Sequence, residues 1–355
     1  MGRSRSLRWL VWLAVGLLAG CMNPDLLDQV RHKNQATPSA AMAALPPEED
    51  AADMTRVLQQ SLAGVDDSAR IVYAAMIAGK AEIFSLLPDG TRSIQLTSDQ
   101  RYKCRPAWSP DHRHIAFFRY PSDRPVSDVA SLIIMDVNGA NQRVVIPRLK
   151  IDLDTARISW RPDGSRVYVQ EKDFGSVLFG YDVSSGKPVE TVRIPKTSFL
   201  TLAYSLSPDL QTIAGAGPDP KTGALHIGTV RRDGSLDTDL MKPFRTVAYH
   251  VGTVVWSYDG QLVAYELDNL VIVMSSYYRP GFKANPITPN EPAGKITGAA
   301  FSPTGKFIAY TQEITREAVM GAGERETVSD LWVVDADGTH ARPITREGSC
   351  FDPHW

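Results

Sequence analysis

His112 and His114 flank Arg113, an alternation that puts two imidazoles on one face of an extended strand, as a pair of metal ligands would sit. A catalytic zinc takes three protein ligands, and no third stands nearby, so neither a metal nor a cofactor is read from the pair. Asp111, Asp163, Asp209 and Asp259 form a second candidate set, since paired carboxylates can do acid–base work. Each instead occupies the same point of a turn sequence, where an aspartate bonds its local backbone. The chain has no Gly-x-Ser-x-Gly elbow and no His-Glu-x-x-His pair, and Pro188 follows Gly186-Lys187 where a phosphate loop needs Ser or Thr. It therefore reads as a non-enzyme. Three cysteines, Cys21, Cys104 and Cys350, are too few for a disulfide scaffold or a one-chain four-thiolate zinc site.

The first cysteine belongs to a leader. Arg3, Arg5 and Arg8 precede an apolar run from Trp9 to Leu18. That run is half of the roughly 20 residues a membrane-spanning helix needs, and the right length for a secretory signal. It ends in Leu17-Leu18-Ala19-Gly20-Cys21, which resembles the bacterial lipobox. The resemblance implies that residues 1–20 are removed and that Cys21 carries the lipid. Met22, rather than Asp, follows, which by the same resemblance favours the outer membrane where the organism has one. The expected location is the periplasmic or cell-surface side of a membrane held through that lipid. Removal of the leader takes three arginines from a formal net charge of −2, leaving −5, and a nucleic-acid partner is not expected.

Residues 21–66 read as a tether: Ala/Pro/Ser-rich around Gln35–Ala41, then one short helix at about 49–63. Glu49, Asp50 and Asp53 favour the positive end of that helix, and Met54, Val57, Leu58 and Leu62 make its apolar stripe. The stripe either packs on the body or offers a partner a docking face.

The body, 67–355, is a repeat. Trp108-Ser109-Pro110-Asp111, Trp160-Arg161-Pro162-Asp163-Gly164, Leu206-Ser207-Pro208-Asp209, Trp256-Ser257-Tyr258-Asp259-Gly260 and Phe301-Ser302-Pro303-Thr304-Gly305 recur, and Trp355 is a sixth anchor. The anchors lie 52, 46, 50, 45 and 54 residues apart, the length of one four-stranded propeller blade. In each unit a strand ends at the large apolar residue and Pro-Asp-Gly reverses the chain. Near-continuous apolar runs follow, such as Leu262–Tyr265 and Leu331–Val334, as strands covered on both faces require. The first unit opens at Ile71 without its anchor strand, and the last ends in that strand alone. The expected fold is therefore all-β: a six-bladed β-propeller whose C-terminal strand completes the first blade and removes the open edge.

These motifs resemble the TolB-like propeller repeats over about 67–355. The family's namesake carries an additional N-terminal α/β domain, and here a short tether stands in that place. The resemblance implies a non-catalytic, monomeric scaffold for envelope proteins. Its alternative is a glycan or small-ligand site, or a lyase or hydrolase activity, at the central channel.

Counting three residues back from each anchor gives the residues expected at the channel mouth: Arg105, Arg157, Ala203, Thr253, Gly298 and Asp352. The charged members, Asp352, Arg105 and Arg157, fall in consecutive blades. They suit either an entrance that receives an acidic group or an ion pair between Asp352 and Arg105 that seats the closing strand. Cys104 and Cys350 both stand at the start of an innermost strand, in neighbouring blades. In an oxidising compartment a Cys104–Cys350 disulfide is expected, provided their Cα atoms come within about 7 Å.

Overall fold

The computed structural model describes residues 49–153, 156–172, 177–194, 203–218, 223–233, 237–239, 251–267, 270–275, 285–287, 294–317, 325–346 and 348–355. The leader, Cys21 and the first half of the tether lie outside these. Helix α1 spans Glu49–Ser61. Blade 1 is β1 (Ile71–Ile77), β2 (Lys80–Leu86) and β3 (Ile94–Gln95), completed from the far end of the chain. Blade 2 is β4 (Lys103–Trp108), β5 (His114–Arg119), β6 (Val129–Asp136) and β7 (Arg143–Lys150); blade 3 is β8 (Ile158–Trp160), β9 (Arg166–Gln170), β10 (Val177–Asp182) and β11 (Pro188–Arg193). Blade 4 is β12 (Ala203–Leu206), β13 (Thr212–Pro218), β14 (Leu225–Arg231) and β15 (Asp237–Asp239); blade 5 is β16 (Val251–Trp256), β17 (Leu262–Leu267), β18 (Leu270–Ser275) and β19 (Asn285–Ile287). Blade 6 is β20 (Ile296–Phe301), β21 (Phe307–Glu317), β22 (Arg325–Asp335) and β23 (Arg342–Pro343), and β24 (Cys350–His354) is the innermost strand of blade 1. Six antiparallel four-stranded sheets result, and β24 pairs with β1 at Val72–His354, Ala74–Phe351 and Ala75–Cys350. The ring closes as the repeat arithmetic requires.

The unbroken apolar runs are explained by the packing. Six buried clusters form, one between each pair of adjacent blades, and alternate residues of a strand serve opposite clusters. Along β5, Ile115 and Phe117 face blade 1 while Ala116 and Phe118 face blade 3. The period is the usual two, but both phases are apolar. Three anchor indoles add a directional bond to the preceding blade. Trp108 Nε1 donates to Arg70 C=O (2.9 Å), Trp160 Nε1 to Ala107 C=O (3.3 Å) and Trp256 Nε1 to Ser205 C=O (3.0 Å).

The turn aspartates have the structural role their position suggests. Ser109 Oγ donates to Asp111 (2.6 Å) and accepts from His114 N–H (3.0 Å), while Arg113 N–H donates to the same carboxylate (3.1 Å). Ser257 and Asp259 repeat the device, at 2.6 Å between the side chains and 2.9 Å each from Leu262 N–H and Gln261 N–H. The serine of the motif thus bridges the returning strand to the turn. Helix α1 buries Met54 in the cluster between blades 3 and 4, with Val57 packed against it; Leu58 is buried as well, and Ser61 Oγ donates to Pro162 C=O at 3.0 Å. Its apolar stripe packs on the ring.

Candidate functional site: the central channel

Innermost strands β4, β16, β20 and β24 each carry a register shift near their start, in the ladders at Cys104/Ala107, Val251/Val254, Thr297/Ala300 and, opposite β24, Val72/Ala74. Such a bulge re-aims one residue out of the sheet. Arg105 (φ 54°), Gly298 (φ 64°) and Asp352 (φ 51°) take left-handed backbone there. A Cβ on Gly298 would stand 3.1 Å from Pro353 Cδ, so a side chain here would both strain the left-handed backbone and press on the closing strand of blade 1.

The result is a small chamber of about 50 Å³ at the end where the innermost strands begin. Arg105, Arg157, Thr253, Gly298 and Asp352 wall it; Ala203, the sixth residue of the count, is buried and is not part of that wall. Arg105 Nη1 donates to Asp352 at 2.5 Å, its backbone N–H donates to the same carboxylate at 3.1 Å, and its Nη2 reaches Leu153 C=O at 2.7 Å. The closing strand is therefore seated by an ion pair. Arg157 donates to Ala156 C=O (2.7 Å) and to the Thr253 hydroxyl. Burial, and then the charge of Arg105, push the Arg157 guanidinium down to about 9.

The sequence count did not find Glu266. Its carboxylate, buried at the end of β17, accepts from Thr253 Oγ1 (2.6 Å), Thr253 N–H (3.2 Å) and Gly298 N–H (3.0 Å). Gly252 makes the room, since a Cβ there would lie 2.4 Å from the carboxyl carbon. An acid inside the apolar run Leu262–Leu267 was the signal available.

A second chamber, about 160 Å³, lies where the innermost strands end. Trp108, Trp160, Trp256, Phe301 and Tyr258 line it, with Leu58 of α1. Arg157, Ile158, Val255, Ala299 and His354 belong to both chambers, so the two form one passage. Tyr258 stands where the turn motif elsewhere has proline, and its hydroxyl donates to a Trp355 oxygen at 2.8 Å.

The two histidines first considered as ligands diverge. His112 stacks on Trp108 (centroids 5.3 Å apart, 14° between planes), while the exposed His114 faces Asp136 at 3.8 Å. Burial pushes His112 down to about 4, and burial with His112 nearby pushes His354 to about 3. Among the described residues no group of three metal-ligating side chains occurs.

The Cys104–Cys350 bridge is not made: both residues are buried thiols. Cys104 points into the cluster between blades 2 and 3, and Cys350 into the cluster between blades 6 and 1. The whole interface between blades 1 and 2 separates the two clusters. Burial, and then the Asp352 charge, raise the Cys104 thiol well above its ordinary value.

The molecule is thus a six-bladed β-propeller whose channel is pinched by charged groups at one end and lined by aromatic rings at the other. Its sequence matches no protein-family model and no curated protein. Its structure is similar to TolB from Acinetobacter baumannii, at 18% identity over 84% of this chain and 69% of that one, with a TM-score of 0.58. It is also similar to a putative TolB from Agrobacterium tumefaciens, at 14% identity over 80% of this chain and 90% of that one, with a TM-score of 0.52. The fold is that of a TolB-like propeller. Among the described residues no helix is long and apolar enough to cross a membrane.

Proposed function

We propose that the protein is an exported, lipid-anchored TolB-like propeller that serves as a non-catalytic protein-interaction scaffold in the bacterial cell envelope. The leader and the Leu-Ala-Gly-Cys sequence support export and lipidation at Cys21. The observation that carries the non-catalytic reading is how the channel charges are spent. Asp352 is held by Arg105, and Glu266 accepts three hydrogen bonds from Thr253 and Gly298. Asp352 ties blade 1 to Arg105 of blade 2, and one oxygen of Glu266 ties blade 5 to Gly298 of blade 6, which is a structural use of both carboxylates. Recognition then falls to the loops of the propeller faces, where variable segments sit on a rigid frame.

The test has two arms. Detergent-phase separation of the wild-type chain and Cys21→Ser is expected to move the protein from the detergent to the aqueous phase with its melting curve unchanged; retention in detergent refutes the anchor. Chemical cross-linking in intact cells, followed by mass spectrometry, is expected to capture defined envelope proteins through the propeller faces. Turnover of a cell-wall or polysaccharide substrate by the purified protein overturns the scaffold reading.

A further inference from the structure

One cation of the channel has, among the described residues, no carboxylate in contact. Among the described residues, Arg157 gives its hydrogen bonds to two neutral oxygens, Ala156 C=O and Thr253 Oγ1, whereas Arg105 beside it is tied to Asp352. The four charged groups of the passage cancel formally, yet Arg157 reaches Glu266 only through the Thr253 hydroxyl. Burial first, and then the neighbouring Arg105 charge, lower the Arg157 pKa, as befits a guanidinium with no carboxylate in contact. A guanidinium presents a flat fork of five donors that matches a carboxylate, so this fork has capacity to spare.

Arg157 also stands where the two chambers meet. The upper chamber, about 50 Å³, has room for little more than a carboxylate group. The lower one, about 160 Å³, is comparable to the apolar cavity of about 150 Å³ that takes up benzene. Its rings suit a flat apolar body, and the passage between is walled by Ile158, Val255 and Ala299. His354, also on that wall, is neutral near pH 7 and adds no charge.

We propose that the channel binds a carboxylate carried on a flat apolar body, the carboxylate on Arg157 and the body among Trp108, Trp160 and Trp256. This goes beyond the scaffold reading and stands or falls apart from it. The chemistry is shared by a free aromatic acid and by the C-terminal end of a peptide whose last side chain is aromatic.

Three tryptophans line the lower chamber, so the full chain can be titrated by its own fluorescence. The probes are 3-phenylpropionate, its neutral amide, and Gly-Gly-Phe with a free or an amidated C-terminus. The acids are expected to bind saturably and the amides about ten-fold more weakly, or less tightly still, because each amide forfeits a charge-assisted pair. Arg157→Gln should bring the acids to the level of the amides, and Ala299→Leu, which narrows the passage and leaves every charge in place, should abolish both. Tighter binding of the peptide names a chain end as the natural source, and tighter binding of phenylpropionate names a free acid. Equal binding of acid and amide, binding untouched by either substitution, or no binding of any probe at millimolar concentration overturns the proposal. Should Arg157→Gln fail to fold, the acid–amide comparison on the wild-type chain and Ala299→Leu decide.

Discussion

Trp108 and Trp355 are the same residue of the repeat in adjacent blades, buried alike (2% and 1% exposed), yet their indole N–H groups have opposite fates. Trp108 Nε1 donates to Arg70 C=O at 2.9 Å; Trp355 Nε1 is buried without a partner. Replacing either by Phe removes similar apolar volume, and that common loss cancels in the comparison. At Trp108 the substitution also removes a hydrogen bond worth about 1 kcal/mol net. At Trp355 it removes a stranded donor whose burial costs about 1–3 kcal/mol. Trp108→Phe should therefore destabilise the ring by about 2–4 kcal/mol more than Trp355→Phe. Trp355→Ala should cost about 3–5 kcal/mol, because the stack on Phe307 (6.1 Å) and the packing against Tyr73 and Leu331 go with it. Urea unfolding followed by far-ultraviolet circular dichroism, fitted with a common slope, gives the three differences. If Trp355→Phe proves as costly as Trp108→Phe, the indole bonds between blades contribute nothing and packing alone sets the order.

Three further outcomes follow from the same geometry. Asp352→Asn leaves the Arg105 guanidinium without its counter-charge at a site where both side chains are under 15% exposed (14% and 12%), and should cost about 2–4 kcal/mol in the same urea assay; a loss below about 1 kcal/mol would show that the pair is screened like a surface one. His112 and His354 both have folded pKa values below the ordinary 6.5, so the unfolded chain binds the extra protons. Stability from this source is complete above about pH 6.5 and falls as the pH drops toward about 4 and about 3; between pH 6.5 and 5, before most carboxylates titrate, His112→Asn should flatten the fall in melting temperature, and an unchanged slope there sinks the assignment. Thiol titration of the denatured, unreduced Cys21→Ser chain should count both Cys104 and Cys350, with neither reacting in the folded protein; a count of zero would mean that a bridge forms after all.

The fold was legible because each turn is specified locally. An aromatic, a serine, a proline and an aspartate within five residues encode strand end, bridge and reversal, and five copies with a terminal sixth anchor count the blades. Arg105, Arg157 and Asp352 were legible for the same reason, since a fixed offset from a fixed anchor is a fixed place on the ring. Glu266 was not, because it enters from the second strand and no offset within the innermost strands reaches it. The cysteines carried a signal that was overlooked. Cys104 lies four residues before its anchor and Cys350 five, both across a bulge, and a difference of one residue turns a side chain to the other face. Parity alone sends the two thiols to clusters on opposite sides of their blades.

Departures from the repeat gather at the channel. Tyr258 replaces the motif proline and reaches across to Trp355; His112 takes the left-handed turn position that is glycine in three other units and stacks on Trp108. Gly298, Gly252 and Glu266 break the pattern of blades 5 and 6 where Thr253, which accepts from Arg157, needs a partner of its own. Away from the channel, each blade's requirements are alike, and one solution serves all six. In the channel the six blades meet at a single axis, and six identical residues there would stack six like charges or leave a hole. The symmetry of the ring must be broken on its axis, and the way it is broken distinguishes one propeller from another with the same frame. Here, among the described residues, it leaves a passage with one guanidinium bonded to neutral oxygens alone, which makes Arg157, rather than the ion pair beside it, the residue on which a search for a ligand should turn.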